Sequence, residues 1–530
     1  MQRTAATADD ELGPSDLWDI EEHGLTEAEV RRQLGLLRNP PPPARLLRAC
    51  TPGDGVEVLT DAVVEQCLAA HRDAAAAGRL SCFVPASGAA SRMFKSLQAI
   101  RSDPTAAWTE LRRRAASGDA TAASVVELLD GIPRLALRGE IETALARHGE
   151  KLDAALRNEL LAPLLAILLD ASELDLGERA KGLLPFHRYP GAPRTAFEEQ
   201  LVDAASYARR GDGTVHLHFT VSENHREAFA RLLEAVRGKY ESAFGVHYEV
   251  GFSTQRLATD TVAVESDGRA FRDGDGHLLF RPGGHGALLA NLNDLGADLL
   301  FVKNIDNVVP DHLKPPVVHW KKVLAGRLAF LVQRVHGSLR DLGRDPATAV
   351  GPALALLAEL GLRPPADVAS GSTDAKVRWA KGRLDRPLRA CGVVRCEGDP
   401  GGAPFWLPDG EGGATPQIVE TAQIDGRDPE QVAIHRSATH FNPVDLVCSL
   451  RDWRGQPFDL SQYLDPEAVF IAEKSSGGRS LKALEHPGLW NGAMARWITL
   501  FVEVPPETFH PVKTINDLLA ADHQPPERNA

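Results

Sequence analysis

From Lys181 to Asp306 short apolar runs alternate with longer helical stretches, and this alternation constrains the fold more than any other feature. KGLLPFHRY is followed by the helical TAFEEQLVDAASYARR, the run TVHLHFTV, the helical HREAFARLLEAVRG and the run YEVGFST. HGALLANLNDLG and DLLFVKNID continue the series. Strands separated by helices at this spacing predict an open α/β sheet whose strands are mostly parallel.

The same grammar begins earlier. LTEAEVRRQLGLL predicts a helix that Thr26 caps, with Glu27 and Glu29 in its first turn, and NPPPPARLL breaks it. The helical DAVVEQCLAAHRDAAAAG leads into LSCFVPA, a short apolar run with Gly78 before it and Gly88 after it. That run reads as a strand buried on both faces. Residues 96 to about 178 read as a helical insertion, and residues 321 to 382 as a second one. The expected organisation is an N-terminal helical segment over 1–75 and one α/β catalytic domain over 76–530 that carries both insertions.

Composition removes several classes of function. The formal charge of −13 argues against sequence-independent nucleic-acid binding, which needs a basic surface. No apolar run is long enough to span a bilayer, so no membrane partner is expected. The opening MQRTAATADDELGPSD is polar and acidic and lacks a signal-peptide core. Cys50, Cys67, Cys82, Cys391, Cys396 and Cys448 form no CxxC pair, so a structural zinc or a disulfide framework is not expected, and a reducing cytoplasm is.

Three loops can carry chemistry. SGAASRMFK places the small residues Ser87, Gly88, Ala89, Ala90 and Ser91 after a strand, with Arg92 and Lys95 one turn on. Small side chains let main-chain amides close around a phosphate, and the two cations can add charge-assisted contacts. A tight strand-to-helix connection lined with alanine fits the same residues. LLFVKNIDNVVPD ends an apolar strand with Lys303, Asn304, Asp306 and Asn307, where ligands of open α/β sheets sit. A carboxylate there can hold Mg2+ between phosphates, and a plain Asn/Asp turn fits equally. RPGGHGALLANL sets Gly283, Gly284 and Gly286 around His285, which permits close approach to a base or phosphate, or makes an ordinary glycine turn. Lys181 and Lys513 are further cations, and spacing alone does not separate them from surface lysines.

In their order, these segments resemble the sugar-nucleotide pyrophosphorylases, particularly the UDP-glucose and UDP-N-acetylhexosamine branch. PASGAASRMFK is similar to that family's glycine-rich nucleotide loop, KGLLPFHRYPGAPRTAFEEQLVDAA to its lysine-plus-helix segment, and FSTQ to its FxQ signature. RPGGHGALLANL and FVKNIDN resemble the pair PPGHG and NxDN, and QIVETAQID, FNPVDLV and HPVKTINDLL resemble the later motifs. The wording resembles still more closely a bacterial domain-of-unknown-function family of the same superfamily. The resemblance implies a Rossmann-like sheet of the nucleotide-diphospho-sugar transferase type.

The resemblance also implies roles for individual residues. Gly88, Ala89, Ser91 and Arg92 would cradle a triphosphate, with Lys95 and Lys181 beside them. Gln255, Gly284, His285 and Gly286 would face the base and ribose. Asp306 would bind Mg2+, and Asn304 would face the sugar. Gly392 and Glu420 would contact sugar hydroxyls, Asp445 would contact the sugar or the metal, and Lys513 would neutralise a phosphate. Ala90 and Ser91 stand where relatives more often carry glycine and threonine. The stretch after Lys513 is expected to leave no room for the β-helix domain of some relatives.

The expected function is a Mg-dependent cytoplasmic nucleotidyltransferase whose partners are a nucleoside triphosphate and a sugar phosphate. In-line attack on the α-phosphorus would release pyrophosphate. Two alternatives stay open: a nucleotide or sugar-nucleotide sensor that kept the fold and lost the chemistry, and a glycosyltransferase on the same fold.

Overall fold

Consecutive buried positions pick out the central strands of the computed structural model. Leu299–Lys303 is buried at all five residues, and Cys82, Phe83 and Val84 are buried within Leu80–Pro85. Both strands are covered on two faces, which is why they read as continuous apolar runs rather than alternating ones. The structure describes residues 12–103, 105–396, 402–410 and 412–526. Most of the polar opening run of the sequence lies outside them.

The chain divides into two compact units, each assembled from separate segments. The first comprises residues 1–83, 253–302 and 322–506, and the second 84–252, 303–321 and 507–530.

In the first unit Thr51–Pro52, Gly55–Glu57, Ile498–Glu503 and Leu388–Arg395 run parallel in that order. His440–Ser449 pairs antiparallel with Leu388–Arg395, Gly392 lying opposite Asp445. Leu299–Lys303 follows in the sheet and runs parallel to Leu80–Pro85, with Leu299 opposite Leu80. The fold is therefore a mixed α/β one with a mostly parallel sheet, as the alternation predicts. Its core gathers Phe83, Leu300, Val302, Cys391, Cys448, Trp497 and Phe501. Among the described residues no disulfide joins the six cysteines. The helix Glu27–Arg38 starts where the sequence indicates, the Thr26 hydroxyl accepting the Glu29 N–H at 3.2 Å.

In the second unit Thr214–Thr220 and His247–Ser253 are neighbouring strands, with the helices Ala196–Tyr207 and Glu223–Phe244 preceding them in turn. Thr195 and Glu198 form a reciprocal capping box: the Glu198 carboxylate accepts the Thr195 N–H at 2.8 Å and the Thr195 hydroxyl accepts the Glu198 N–H at 3.2 Å. The helix Glu223–Phe244 stops at Gly245, whose φ of 60° is the left-handed cap that glycine alone adopts without strain. Residues 95–169 form the helices Lys95–Arg101, Trp108–Ala116, Ala120–Gly131, Arg138–Arg147, Leu152–Arg157 and Leu161–Leu169. The helices Lys314–Arg344, Pro346–Glu359, Ala366–Ala369 and Thr373–Leu384 follow, and from Lys322 onward they belong to the first unit. Among the described residues no helix is long and apolar enough to cross a membrane.

Candidate functional site

The second unit brings together cations and a carboxylate from three distant segments. Lys181 opens a short 3-10 turn, Lys181–Leu183, and Gly182 is what lets that turn lie close. A Cβ at Gly182 would stand 2.9 Å from the Phe229 ring and 3.3 Å from Ile305. The Lys181 ammonium reaches Asp306 Oδ2 at 2.7 Å, and the Lys513 ammonium reaches the same oxygen at 3.2 Å. Asp306 is 7% exposed, and its other oxygen, Oδ1, is buried without a hydrogen-bond partner.

The electrostatics are those of a buried anion held by two ammonium groups. Burial alone would raise the Asp306 carboxyl, but Lys181 and then Lys513 outweigh it and hold it below the usual carboxylate range. Burial pushes the Lys181 ammonium below its ordinary value against the pull of Asp306. The Lys181 side chain is largely enclosed, whereas that of Lys513 is 59% exposed. The trio has one positive charge to spare, which suits an incoming anion.

The small-residue loop lies directly beside it. The Gly88 carbonyl accepts the Lys181 N–H at 3.2 Å, and Ala89 bridges to Ala180. Gly88 has open space where a Cβ would stand. Ala90 is buried, and its N–H already donates to the Arg179 carbonyl at 2.9 Å. The loop enters a 3-10 turn, Ala90–Arg92, before the helix that starts at Lys95. Ser91 is half-buried, and Arg92 and Lys95 are exposed. Asn304 is half-buried, and its carbonyl accepts from the buried Gln200 amide at 2.9 Å.

The first unit holds the remaining predicted residues in a different setting. His285 stacks on Trp490, with centroids 4.2 Å apart and planes 6° off parallel, and its Nδ1 accepts the Leu489 N–H at 2.9 Å. Burial lowers its imidazole below the ordinary value, which keeps it neutral near pH 7. The adjoining Asn491 amide donates to Glu420 Oε1 at 3.2 Å. Burial raises the Glu420 carboxyl, an effect that Trp490 opposes and Glu485 adds to.

The glycines around His285 serve the chain itself. A Cβ at Gly286 would lie 2.2 Å from the Pro487 carbonyl oxygen, and one at Gly284 would lie 2.9 Å from the Glu485 carboxylate. A cavity of about 310 Å³ lies here, lined by residues including Arg256, Gly286, Asn293 and His486. Gln255 is engaged with Asp260 at 3.2 Å. At Gly392 a Cβ would press on Leu324 and Val504 at 3.2 and 3.3 Å, so close packing accounts for that glycine. Asp445 is buried at 3% exposure. A larger cavity of about 790 Å³, lined by residues including Glu57, Arg327 and Trp406, holds none of the predicted residues.

Trp490 and Asn491 escape the sequence reading, although the WNG turn in HPGLWNGAMARW was the available signal. Asp517 also escapes it, and accepts the amides of Lys513 and Thr514 at 2.6 and 2.7 Å. Among the described residues no group of three or more His, Cys, Asp or Glu side chains is arranged to hold a metal. A metal at Asp306 would therefore have to complete its shell from phosphate oxygens and water, which is how Mg2+ is commonly held. The orphaned Oδ1 fits that arrangement.

Fold and site together define an α/β protein with a phosphate-suited cluster of cations around one carboxylate. Residues 14–524 match the family described as domain of unknown function DUF4301, and the chain belongs to that family. No curated protein matches the sequence. Among solved structures the chain is similar to a UDP-N-acetylglucosamine pyrophosphorylase from Trypanosoma brucei in complex with an inhibitor. That match has 12% identity and a TM-score of 0.45, covering 93% of this chain and 73% of the other. A UDP-glucose phosphorylase from Trypanosoma brucei matches at 13% identity and a TM-score of 0.44, over 96% of this chain and 80% of the other. A putative UDP-N-acetylglucosamine pyrophosphorylase from Entamoeba histolytica matches at 11% identity and a TM-score of 0.42, over 87% of this chain and 82% of the other.

Proposed function

We propose that the protein is a nucleotidyltransferase that joins a nucleoside triphosphate to a sugar phosphate and releases pyrophosphate. The observation that carries this reading is the buried Asp306 carboxylate, which draws Lys181 and Lys513 onto one oxygen and leaves the other unpartnered. The order of sequence motifs that resemble the sugar-nucleotide pyrophosphorylases supports it.

The chemistry needs no covalent intermediate. A sugar-phosphate oxygen attacks the α-phosphorus in line, and the obstacle is to bring two anions together. Two unit charges 4 Å apart repel by about 4 kcal/mol at an effective dielectric near 20, so several positive groups are required. Lys181 and Lys513 supply two of them next to the Gly88 loop. Asp306 Oδ1 is the atom that would hold Mg2+, which supplies further neutralisation of phosphate charge. Asn304 would face the sugar.

A second reading has its own observation. The Ala90 amide is spent on the Arg179 carbonyl, which takes one donor away from the phosphate cradle and favours a sensor that binds nucleotide without turning it over. The test is pyrophosphate release from purified protein with Mg2+, each common nucleoside triphosphate and a panel of sugar phosphates. Release tied to one particular pair supports the transferase; binding of nucleotide with no release across the panel supports the sensor.

A further inference from the structure

Lys513 owes its place to the segment that carries it rather than to its own side chain. That side chain is 59% exposed and meets Asp306 at 3.2 Å, against 2.7 Å for the enclosed Lys181. The segment is fastened along its length. Asn307 Oδ1 accepts the His510 N–H at 3.0 Å, and the Val512 N–H donates to the Asp306 carbonyl at 3.0 Å. Leu519 packs so tightly on Gly131 that a Cβ there would lie 2.4 Å from a methyl carbon. At the far end the rings of His523 and His187 lie edge to edge, with centroids 5.3 Å apart and planes 7° off parallel. His187 Nε2 and His523 Nδ1 are 3.0 Å apart, and the two residues are 336 positions apart in the chain.

We propose that Glu507–Gln524 is a strap that sets Lys513 on the Asp306 carboxylate, and that the hydrogen-bonded His187–His523 pair is its latch. His523 is in this account a positioning residue that acts through Lys513. The inference rests on the phosphate-neutralising role proposed above for Lys513.

The latch is built on a fixed half. His187 is 1% exposed, and its Nδ1 faces Glu199 Oε1 at 2.9 Å, which puts the proton on Nδ1 and presents Nε2 to His523. Glu199 is itself held by Lys314 at 2.9 Å, by the Tyr189 hydroxyl at 2.8 Å and by Arg194 at 3.6 Å, and Lys314 is also held by Asp203 at 2.6 Å. The other half is His523, buried at 4% exposure, with His187, His510, Asp522 and Asp517 as its charged or titratable neighbours. Burial, then His187 and His510, push its imidazole down to about 4, and the two aspartates offset only part of this. A latched His523 is therefore neutral at pH 7. Lifting the strap returns it toward its ordinary value of 6.5, so acid favours the released form as pH falls from 6.5 toward 4.

The test compares the full-length protein with His523→Ala, His523→Gln, Lys513→Ala and the double variant His523→Ala/Lys513→Ala. Turnover is followed as pyrophosphate release from pH 5 to 8, and hydrogen exchange of the amides of residues 510–519 is followed whether or not turnover is found. His523→Ala is expected to lower kcat about tenfold with little change in KM, to flatten the acid limb, and to add nothing on top of Lys513→Ala. It should raise exchange over 510–519 by about tenfold or more while leaving the helix Ala196–Tyr207 protected. His523→Gln, which keeps a side-chain donor, should restore part of both and serves as the variant if alanine does not fold. Unchanged exchange in His523→Ala overturns the strap, as does a kcat loss fully additive with Lys513→Ala. If the unsubstituted protein releases no pyrophosphate, the functional reading fails and the exchange result still decides the strap.

Discussion

Asp306 and Lys181 meet at 2.7 Å in a buried setting, yet the second carboxylate oxygen of Asp306 is enclosed without a partner. Replacing Asp306 by Asn would leave the Lys181 ammonium enclosed without its counter-charge. Because Lys513 is largely exposed, only the Lys181 pairing should weigh on stability, and the expected loss is about 2–3 kcal/mol. Turnover should fall by at least about 100-fold. Urea unfolding and pyrophosphate release measure the two effects separately.

The glycines make opposite predictions. Gly286→Ala places a Cβ 2.2 Å from the Pro487 carbonyl oxygen, and an overpacking cost of about 2–3 kcal/mol is expected in thermal or urea unfolding. Gly88→Ala meets nothing within 4 Å and should change stability by less than about 0.5 kcal/mol. Under the proposed function it should still weaken triphosphate binding, seen as a raised KM for the nucleotide.

Glu199 predicts how the second unit responds to acid. Burial would raise its carboxyl, but Lys314 and His187 outweigh this and bring it down to about 2 from an ordinary 4.5. A depressed acid stabilises the fold fully above pH 4.5, and that contribution is lost as pH falls toward 2. The loss should amount to about 3 kcal/mol. Thermal melting of wild type against Glu199→Gln across pH 2–7 checks it: the wild-type curve should fall through that window, and the variant should fall less.

Arg389 is fully buried and binds only neutral acceptors among its described partners: the Thr499 hydroxyl at 2.8 Å, the Gln417 amide oxygen at 2.8 Å, the Trp490 carbonyl at 2.5 Å and the Met494 sulfur at 3.3 Å. Its planar fork reaches three directions that a lysine cannot. Arg389→Lys should cost about 2–4 kcal/mol and loosen the Trp490 shelf on which His285 stacks. Unfolding experiments give the first number, and the second should appear as faster hydrogen exchange over residues 488–494.

The sequence made the local structure legible where a local cause exists. The Thr26 cap, the buried run Leu80–Pro85 and the alternation from Lys181 to Asp306 each depend on near neighbours, and each stands in the structure. Lys181, Asp306 and Lys513 were singled out through the order of their motifs, and the fold supplies what spacing could not, a shared carboxylate oxygen across 125 and 207 positions. The glycines around His285 fit either close approach to a ligand or an ordinary glycine turn by sequence; in the structure Glu485 and Pro487 stand where a Cβ at Gly284 or Gly286 would be. The His187–His523 latch had no local signature, because a lone histidine in each of two distant segments looks like any other until the strap brings them into contact.

The most direct test of the central claim is Mg2+-dependent pyrophosphate release by wild type, Lys181→Ala and Lys513→Ala with a nucleoside triphosphate and a panel of sugar phosphates. Release should depend on one nucleotide and one sugar phosphate together, and should fall by about 100-fold or more in each variant. No release from wild type with any pair, or release unchanged by loss of either lysine, would contradict it.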